Sequence, residues 1–389
     1  MAGLVVRPRA RILHGHDWVY GTEVLKVFGH PGDGDVISIK DGRDKFLGSA
    51  IYNSQSQIVA RRFSRRRQEL DREFFTRRIT QAGAWRSRAG CDPSLCRLVW
   101  SEADGLPGVI ADRYADVIVL QTLTLAMDRQ KTLIAAVLSE IPEVRHVVER
   151  NDATIRAAEA LPLVTGTLVG EDPGEREIEA QGVRFLVDFA QGQKTGLYLD
   201  QLQNYGVVAQ HARGRRVLDC FANQGGFGLA CARNGALKVT GVESGAQSVE
   251  RLRKNAALNG FDFSVQEEDV FSFLKSCERR GDAYDLIILD PPSFTRARGR
   301  INDALRGYRE LHLRSARLLA ADGLLATFSC SHHVSAGEFE STVAAGFSDS
   351  RRSARIIRRL YQSADHPVLL HLPETFYLKG LLLEALAGR

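Results

Sequence analysis

From about residue 177 onward the chain alternates short apolar runs with polar segments of helical spacing. No other feature limits the fold as strongly. "RRVLDCF", "LKVTGVE", "DFSVQE", "YDLIILD" and "GLLATFS" read as strands. "FGLACARNG", "GAQSVERLRKNAALNG", "VFSFLKSCERRG" and "RGYRELHLRSARLLAADG" read as the helices between them. Apolar runs that stop abruptly at small polar residues are those of buried strands that deliver their last side chains to an opening. A strand–helix–strand series requires a parallel sheet with right-handed crossovers. Ligands of such sheets sit beyond the carboxyl ends of the strands. The polar residues that end each run are therefore the ones to inspect.

A chain of 389 residues exceeds one ordinary core, so two or three domains are expected. Residues 1–64 differ from the C-terminal part. "GDVISIKD", "FLGSAIYN" and "IVARRF" alternate apolar and polar residues between Gly/Asp and Asn/Ser breaks, the pattern of a small β-barrel. Residues 68–90 have helical spacing and no proline, and read as a connecting helix. "CRLVWSEADGLPGVIADRYADVIVLQTLT" gives strand-like segments around a Gly/Pro turn. "DRQKTLIAAVLSEI" is a helix with Asp128 as candidate N-cap, and "VRHVVERN" is another strand. The turn-rich "GEDPGERE" reads as a joint or a hairpin tip. The expected division is 1–68 barrel, 69–94 linking helix, 95–176 α+β domain and 177–389 α/β domain.

Composition excludes several classes. Hydrophobic residues at 44% and charged residues at 25% are those of a globular protein. No apolar run approaches the ~20 residues of a membrane helix, and the N-terminus carries no signal-peptide pattern. Six cysteines with no CxxC pair and no zinc-like spacing imply a reduced, cytoplasmic setting without a metal. Net charge is +5, but residues 1–100 carry +8 and the remainder −3. The densest stretch is "ARRFSRRRQELDREFFTRRI", residues 60–79. It is either a solvated helix face or a surface for a polyanion. Its preference for Arg over Lys suits bidentate phosphate contacts, with Arg61, Arg62, Arg65 and Arg66 as candidates.

The first C-terminal strand ends "VLDCFANQGGFG". Asp219 closes the strand, Phe221 and Asn223 follow, and Gly225, Gly226 and Gly228 open the next helix, where backbone can approach a ligand closely. An ordinary tight turn would look the same. Two later features add weight. The second strand ends in Glu243, placed to hold a ribose diol. The third is followed by Glu268-Asp269-Val270, a carboxylate beside an apolar residue, which suits an adenine. With no GxxxxGK[ST] present, this set points to S-adenosylmethionine (SAM) rather than ATP or NAD. The fourth strand ends "LDPPSF": Pro291 and Pro292 stiffen a loop that presents Asp290 and Phe294, either as a rigid turn with a helix-capping Asp or as a seat for a planar base. The fifth ends "FSCSHH", with Cys330 at the same edge. Cysteine is most often a small buried hydrophobe; here its convergence with Asp219, Glu243, Asp269 and Asp290 argues for chemistry.

With "DFAQGQKTGLYLDQ", "RGYRELHLRSARLL", "SADHPV" and "PETFYLKG" added, the chain resembles class I SAM-dependent methyltransferases. Over residues ~1–386 it resembles the bacterial large-subunit ribosomal RNA methyltransferase I family, which makes 5-methylcytosine in 23S rRNA. The resemblance implies an N-terminal PUA domain, a central EEHEE-type domain and a Rossmann-like catalytic domain whose sheet ends in an antiparallel strand, "TFYLKGLLLEAL". It implies that Lys194, Thr195, Tyr198 and Asp200 belong to the segment closing over the methionine end of SAM. Lys194 could pair with its carboxylate, and Asp200 could equally cap "LQNYGVVAQH". Cys330 would be a nucleophile for cytosine carbon 6, Asp290 a hydrogen-bond partner for N3, and 23S rRNA the partner, with homodimerisation left open. His332 and His333 are candidate sources of positive potential, and Asp365 and His366 candidates for the base. Related enzymes often carry a second cysteine where Ser293 stands here, so Cys330 would act alone. Three rivals stay open: methylation of uracil carbon 5, methylation of a purine nitrogen, and an RNA-binding module without catalysis.

Overall fold

The structure is a computed structural model that describes residues 2–189, 195–295 and 298–386. Two compact units emerge. The first comprises Met1–Arg176, Val187–Leu199 and Ala364–Thr375. The second comprises Glu177–Leu186, Asp200–Ser363 and Phe376–Arg389.

The first unit opens with a six-stranded sheet built from residues 3–64. Its alternating pattern turns Leu4, Val6, Val19, Ile37, Ile39, Ala50 and Ala60 into one buried cluster. Helix Arg72–Arg88 follows, capped by Asp71, whose carboxylate accepts the Phe74 N–H at 2.8 Å. A five-stranded sheet then runs in sequence order from Leu95–Trp100 to Val164–Val169, with helical turns between its third and fourth strands. Phe74, Phe75 and Ile79 of the long helix share a core with Val99, Val109 and Ile118 of this sheet. Asp128 is not the cap expected of it. It lies inside the short helix Leu125–Arg129, where its carboxylate accepts the Thr122 hydroxyl at 2.7 Å.

The second unit holds the α/β sheet. Its strands are β1 (Arg216–Cys220), β2 (Lys238–Glu243), β3 (Phe263–Glu267), β4 (Tyr284–Leu289), β5 (Leu319–Ser329), β6 (Ser353–Tyr361) and β7 (Lys379–Leu386). The helices between them are α1 (Gly226–Arg233), α2 (Ala246–Asn259), α3 (Val270–Arg280), α4 (Ile301–Leu318) and α5 (Ala336–Asp349). The order is β3-β2-β1-β4-β5-β7-β6. The first five strands are parallel, and β7 is antiparallel to both neighbours. Strand residues divide by parity between two cores. Leu218, Ile287, Leu289 and Leu325 join α3, α4 and α5 on one face. Val217, Leu286, Ile288 and Leu324 join α1 and the helix Leu202–Ala209 on the other. Both faces are covered, which is why the strand sequences are apolar throughout. All five parallel strands deliver their carboxyl ends to one edge, between β1 and β4 where the order reverses.

Candidate active site

At the end of β1, Asp219 is buried and its Oδ2 accepts the Gly228 N–H at 2.8 Å. Burial, and then the nearby charges of Asp290 and Glu243, push its carboxyl up to about 7 despite that bond. The chain then turns sharply. Phe221 and Asn223 are left-handed, at φ 60° and 47°, and Gly225 follows at 93° before α1 begins. Non-glycine residues in that region are held there by their surroundings and cluster at functional sites. Glu243 supplies one restraint. Its Oε2 accepts the Asn223 N–H at 3.0 Å, and its Oε1 accepts those of Ser244 and Gly245, each at 2.9 Å. A carboxylate with roughly four acceptor positions keeps one for a ligand.

The glycines here serve packing more than ligand approach. A Cβ on Gly226 would lie 2.3 Å from the Tyr205 ring, and one on Gly228 would lie 2.6 Å from Phe263. Asp269 is exposed and caps α3, with its Oδ1 accepting the Ser272 N–H at 3.0 Å.

The β4 and β5 ends face one another. Asp290 accepts from Gln201 Nε2 at 3.1 Å. Gln201 in turn accepts from Asn204 at 2.6 Å, which orients the amide. Cys330 is half-buried, with Sγ 4.0 Å from the Pro291 carbonyl. Around it runs a hydroxyl chain. Tyr308 of α4 donates to Ser329 at 2.9 Å and lies 3.2 Å from Ser331, which lies 3.1 Å from Ser293. Lys379 opens β7 opposite Ser329. Its ammonium donates to the carbonyls of Ser331 at 2.7 Å and Val334 at 2.9 Å. Burial pulls this lysine down to about 8 while the Cys330 charge acts the other way. The loop after Cys330 is thus pinned from beneath by a cation.

A family model described as S-adenosylmethionine-dependent methyltransferase matches residues 84–361, and a PUA-like domain model matches residues 7–65. Ribosomal RNA large subunit methyltransferase I of Aeromonas hydrophila is 37% identical over 96% of both chains. Its namesake from Shewanella amazonensis is 38% identical over 94% of both. This chain belongs to the ribosomal RNA large subunit methyltransferase I family. Its fold is that of a SAM-dependent methyltransferase structure from Streptococcus mutans, with a TM-score of 0.83 at 22% identity over 99% of this chain. A second such structure, complexed with SAH, gives 0.84 at 22% identity over the same share of this chain and all of the other.

Members of this family take SAM, and the edge of the sheet fits it. Glu243 retains an acceptor that a ribose hydroxyl would use, Asp269 would offer its second oxygen to an exocyclic amine, and Asp219 holds the turn after β1 through Gly228. SAM bound there supplies an electrophilic methyl group. Asp200 does not cap a helix. The N-cap position falls on Gln201, while the Asp200 carboxylate accepts the Tyr377 hydroxyl at 2.7 Å. Thr195 gives its hydroxyl to Asp112 within the first unit, to which half-buried Tyr198 also belongs. Lys194 lies outside the described residues. Among the described residues no His/Cys/Asp/Glu cluster could hold a metal, and no helix is long and apolar enough to cross a membrane.

Several expected contacts are placed otherwise. Phe294 is half-buried and packs on Tyr308 at 4.7 Å and Phe271 at 6.2 Å. Pro291 is buried and Pro292 exposed. His332 and His333 are exposed, with the His332 ring 5.7 Å from Tyr377. Asp365 and His366 form a buried pair at 2.8 Å in the first unit, where the Arg97 N–H binds Asp365 and Trp100 packs on His366. Arg61 and Arg62 do not face a polyanion. Arg62 is 6% exposed, paired with Asp17 at 2.7 Å and donating to three carbonyls. Arg61 pairs with Glu102 at 2.7 Å beneath the Trp18 ring. Strand alternation sends only Arg62 inward, Arg61 is held on the other face by Glu102, and Arg65 and Arg66 past the strand end are exposed. Lys379, Gln201 and Tyr308 are the site residues that sequence reasoning missed. A lone lysine at the head of "KGLLLEAL" was the available signal.

Proposed function

We propose that the chain transfers the methyl group of SAM to carbon 5 of a cytosine in 23S ribosomal RNA, through a transient bond to Cys330. One observation carries this reading. Two of the parallel strands end in a cysteine or deliver one just past the end. Cys220 is wholly buried, and burial raises its thiol well above the ordinary value. Cys330 is reachable and faces the Asp290 loop. Only a thiolate is nucleophilic, and the Lys379 cation beneath the Cys330 turn favours the anion.

The Cys330 sulfur bonds to carbon 6, and the electrons of the 5,6 double bond make carbon 5 a nucleophile toward the methyl group. Asp290, carrying a proton and oriented by Gln201, donates to N3 and stabilises the charge that develops on the ring. Loss of the carbon-5 proton to a base restores the double bond and expels the Cys330 thiolate. A base inside folded RNA must first be splayed out to reach the sulfur.

The names of the relatives support rRNA as substrate. The test is mass-spectrometric mapping of 23S rRNA from a strain lacking the gene, combined with release of label from carbon-5-tritiated cytosine in vitro. A single missing 5-methylcytosine, and tritium release abolished by Cys330→Ala with SAM binding intact, is the expected result. Turnover retained by Cys330→Ala excludes the covalent route and favours a ring nitrogen.

A further inference from the structure

The first unit contains a cleft that the chemistry above does not use. Its volume is about 560 Å³, within the ~300–1,000 Å³ usual for ligand sites. It lies between the end of barrel strand Ile58–Ser64, the helix Arg72–Arg88, the turn Ser101–Asp104 and residues 367–371.

Arg62, Arg65 and Arg78 line it, and its character turns on which of its acids are already paired. Three carboxylates border it, and each is already committed. Asp17 binds Arg62 at 2.7 Å and His371 at 2.8 Å. Glu102 binds Arg61 at 2.7 Å. Asp104 places one oxygen on each terminal nitrogen of Arg86, at 2.5 and 2.8 Å. Two cations of the cleft remain without a carboxylate bonded to them among the described residues, Arg65 and Arg78. Arg65 is exposed. Arg78 spends one nitrogen on the Phe63 carbonyl at 3.0 Å. Its Nε is buried with no hydrogen-bond partner, which costs free energy, while the side chain as a whole is half-buried and lines the cleft. Burial and the neighbouring Arg77 hold this guanidinium below its ordinary value, with Asp104 offsetting them in part.

Beside these cations stands Trp85. It is 42% exposed, although it lies on the same helix that buries Phe74, Phe75 and Ile79. An exposed indole next to two guanidinium groups asks for a ligand that is flat and apolar on one part and anionic on another. A nucleotide meets both needs, and its base must be unpaired to offer a face.

We infer that this cleft binds one unpaired nucleotide of the RNA substrate, with the base stacked on Trp85 and the adjoining phosphate held by Arg65 and Arg78. The inference rests on the RNA substrate of the proposed function, and it adds a contact remote in sequence from the thiol.

The test uses the full-length protein and anisotropy of a labelled oligouridylate, with duplex RNA of the same length as control. Trp85→Ala is expected to weaken oligouridylate binding roughly 5- to 150-fold without changing SAM affinity, and Trp85→Phe to recover part of it. Arg65→Ala is expected to lower the steepness of the salt dependence by about 0.7, one single-strand phosphate. Titration calorimetry with SAM reports that each variant is folded. Wild-type binding that Trp85→Ala leaves unchanged overturns the cleft site while sparing the reading of the enzyme. Failure of wild type to bind the oligonucleotide and a 23S rRNA fragment overturns both. Quenching of Trp85 fluorescence by a polyglutamate peptide but not by RNA overturns it in favour of an acidic protein partner.

Discussion

In the proposed mechanism, Lys379 is the group that tunes the Cys330 thiol. A buried ammonium is costly unless compensated, and its two carbonyl partners do not carry charge. A thiolate on Cys330 adds to the negative charge of Glu338 near this ammonium, so sulfur and ammonium stabilise each other's charged forms. Replacing Lys379 with Met is expected to move the midpoint of Cys330 alkylation by iodoacetamide upward by about one pH unit or more, and Lys379→Arg to return part of the shift. An alkylation profile unmoved by Lys379→Met would reduce the lysine to a clamp on the turn. Asp219 gives a second expectation. Its carboxyl holds a proton to about pH 7 in the folded chain and to about 3.9 when unfolded. Between those values the folded state binds more protons, so this group's contribution to stability falls as the pH rises. Thermal melts from pH 4 to 7.5 should show Asp219→Asn gaining on wild type toward the upper end. Parallel curves would refute the raised value.

The catalytic sheet and the barrel teach different lessons about strands. In the sheet, both parities are apolar, and sequence alone marks the strands and their ends. Asp219, Glu243 and Cys330 were legible because each terminates such a run. The barrel is less transparent, since one parity faces inward and an arginine there looks the same on paper as one outside. Arg62 occupies an inward position only because Asp17 and the carbonyls of Gly15, His16 and Leu47 meet it there. Arg62→Ala should therefore destabilise the protein by about 3 kcal/mol or more, as removal of one member of a buried pair does. Arg65→Ala should change stability by no more than about 0.5 kcal/mol. Denaturant melts of the two variants separate these roles. Equal losses would mean that Arg62 is not the internal member of the pair.

At the scale of the molecule, charge is divided between regions of different duty. The first hundred residues carry the excess of positive charge, but much of it is spent on internal pairs such as Arg61–Glu102, Arg62–Asp17 and Arg86–Asp104. The salt dependence of rRNA binding should accordingly be shallower than a count of arginines suggests. Affinity should fall linearly with log salt. Arg65→Ala and Arg66→Ala should each reduce the slope by about one contact, and Arg61→Ala should leave it unchanged. A slope that Arg61→Ala reduces as much as Arg65→Ala would show that the internal pair opens to RNA.

The sequence by itself determined the α/β sheet, the polar residues at its strand ends, and the family, because hydrophobic periodicity, terminal polar residues and motifs are local properties. Only the tertiary structure decided which arginines are solvent-facing, that Phe294 belongs to the core beside Tyr308, and that Lys379 lies under Cys330. It also decided the extent of each unit, since neither is one continuous stretch of chain. These depend on partners tens to hundreds of residues away: Asp17 for Arg62, Ser331 for Lys379. No local pattern encodes a pairing across such a separation, because the free energy that selects it arises only when burial brings the two groups together.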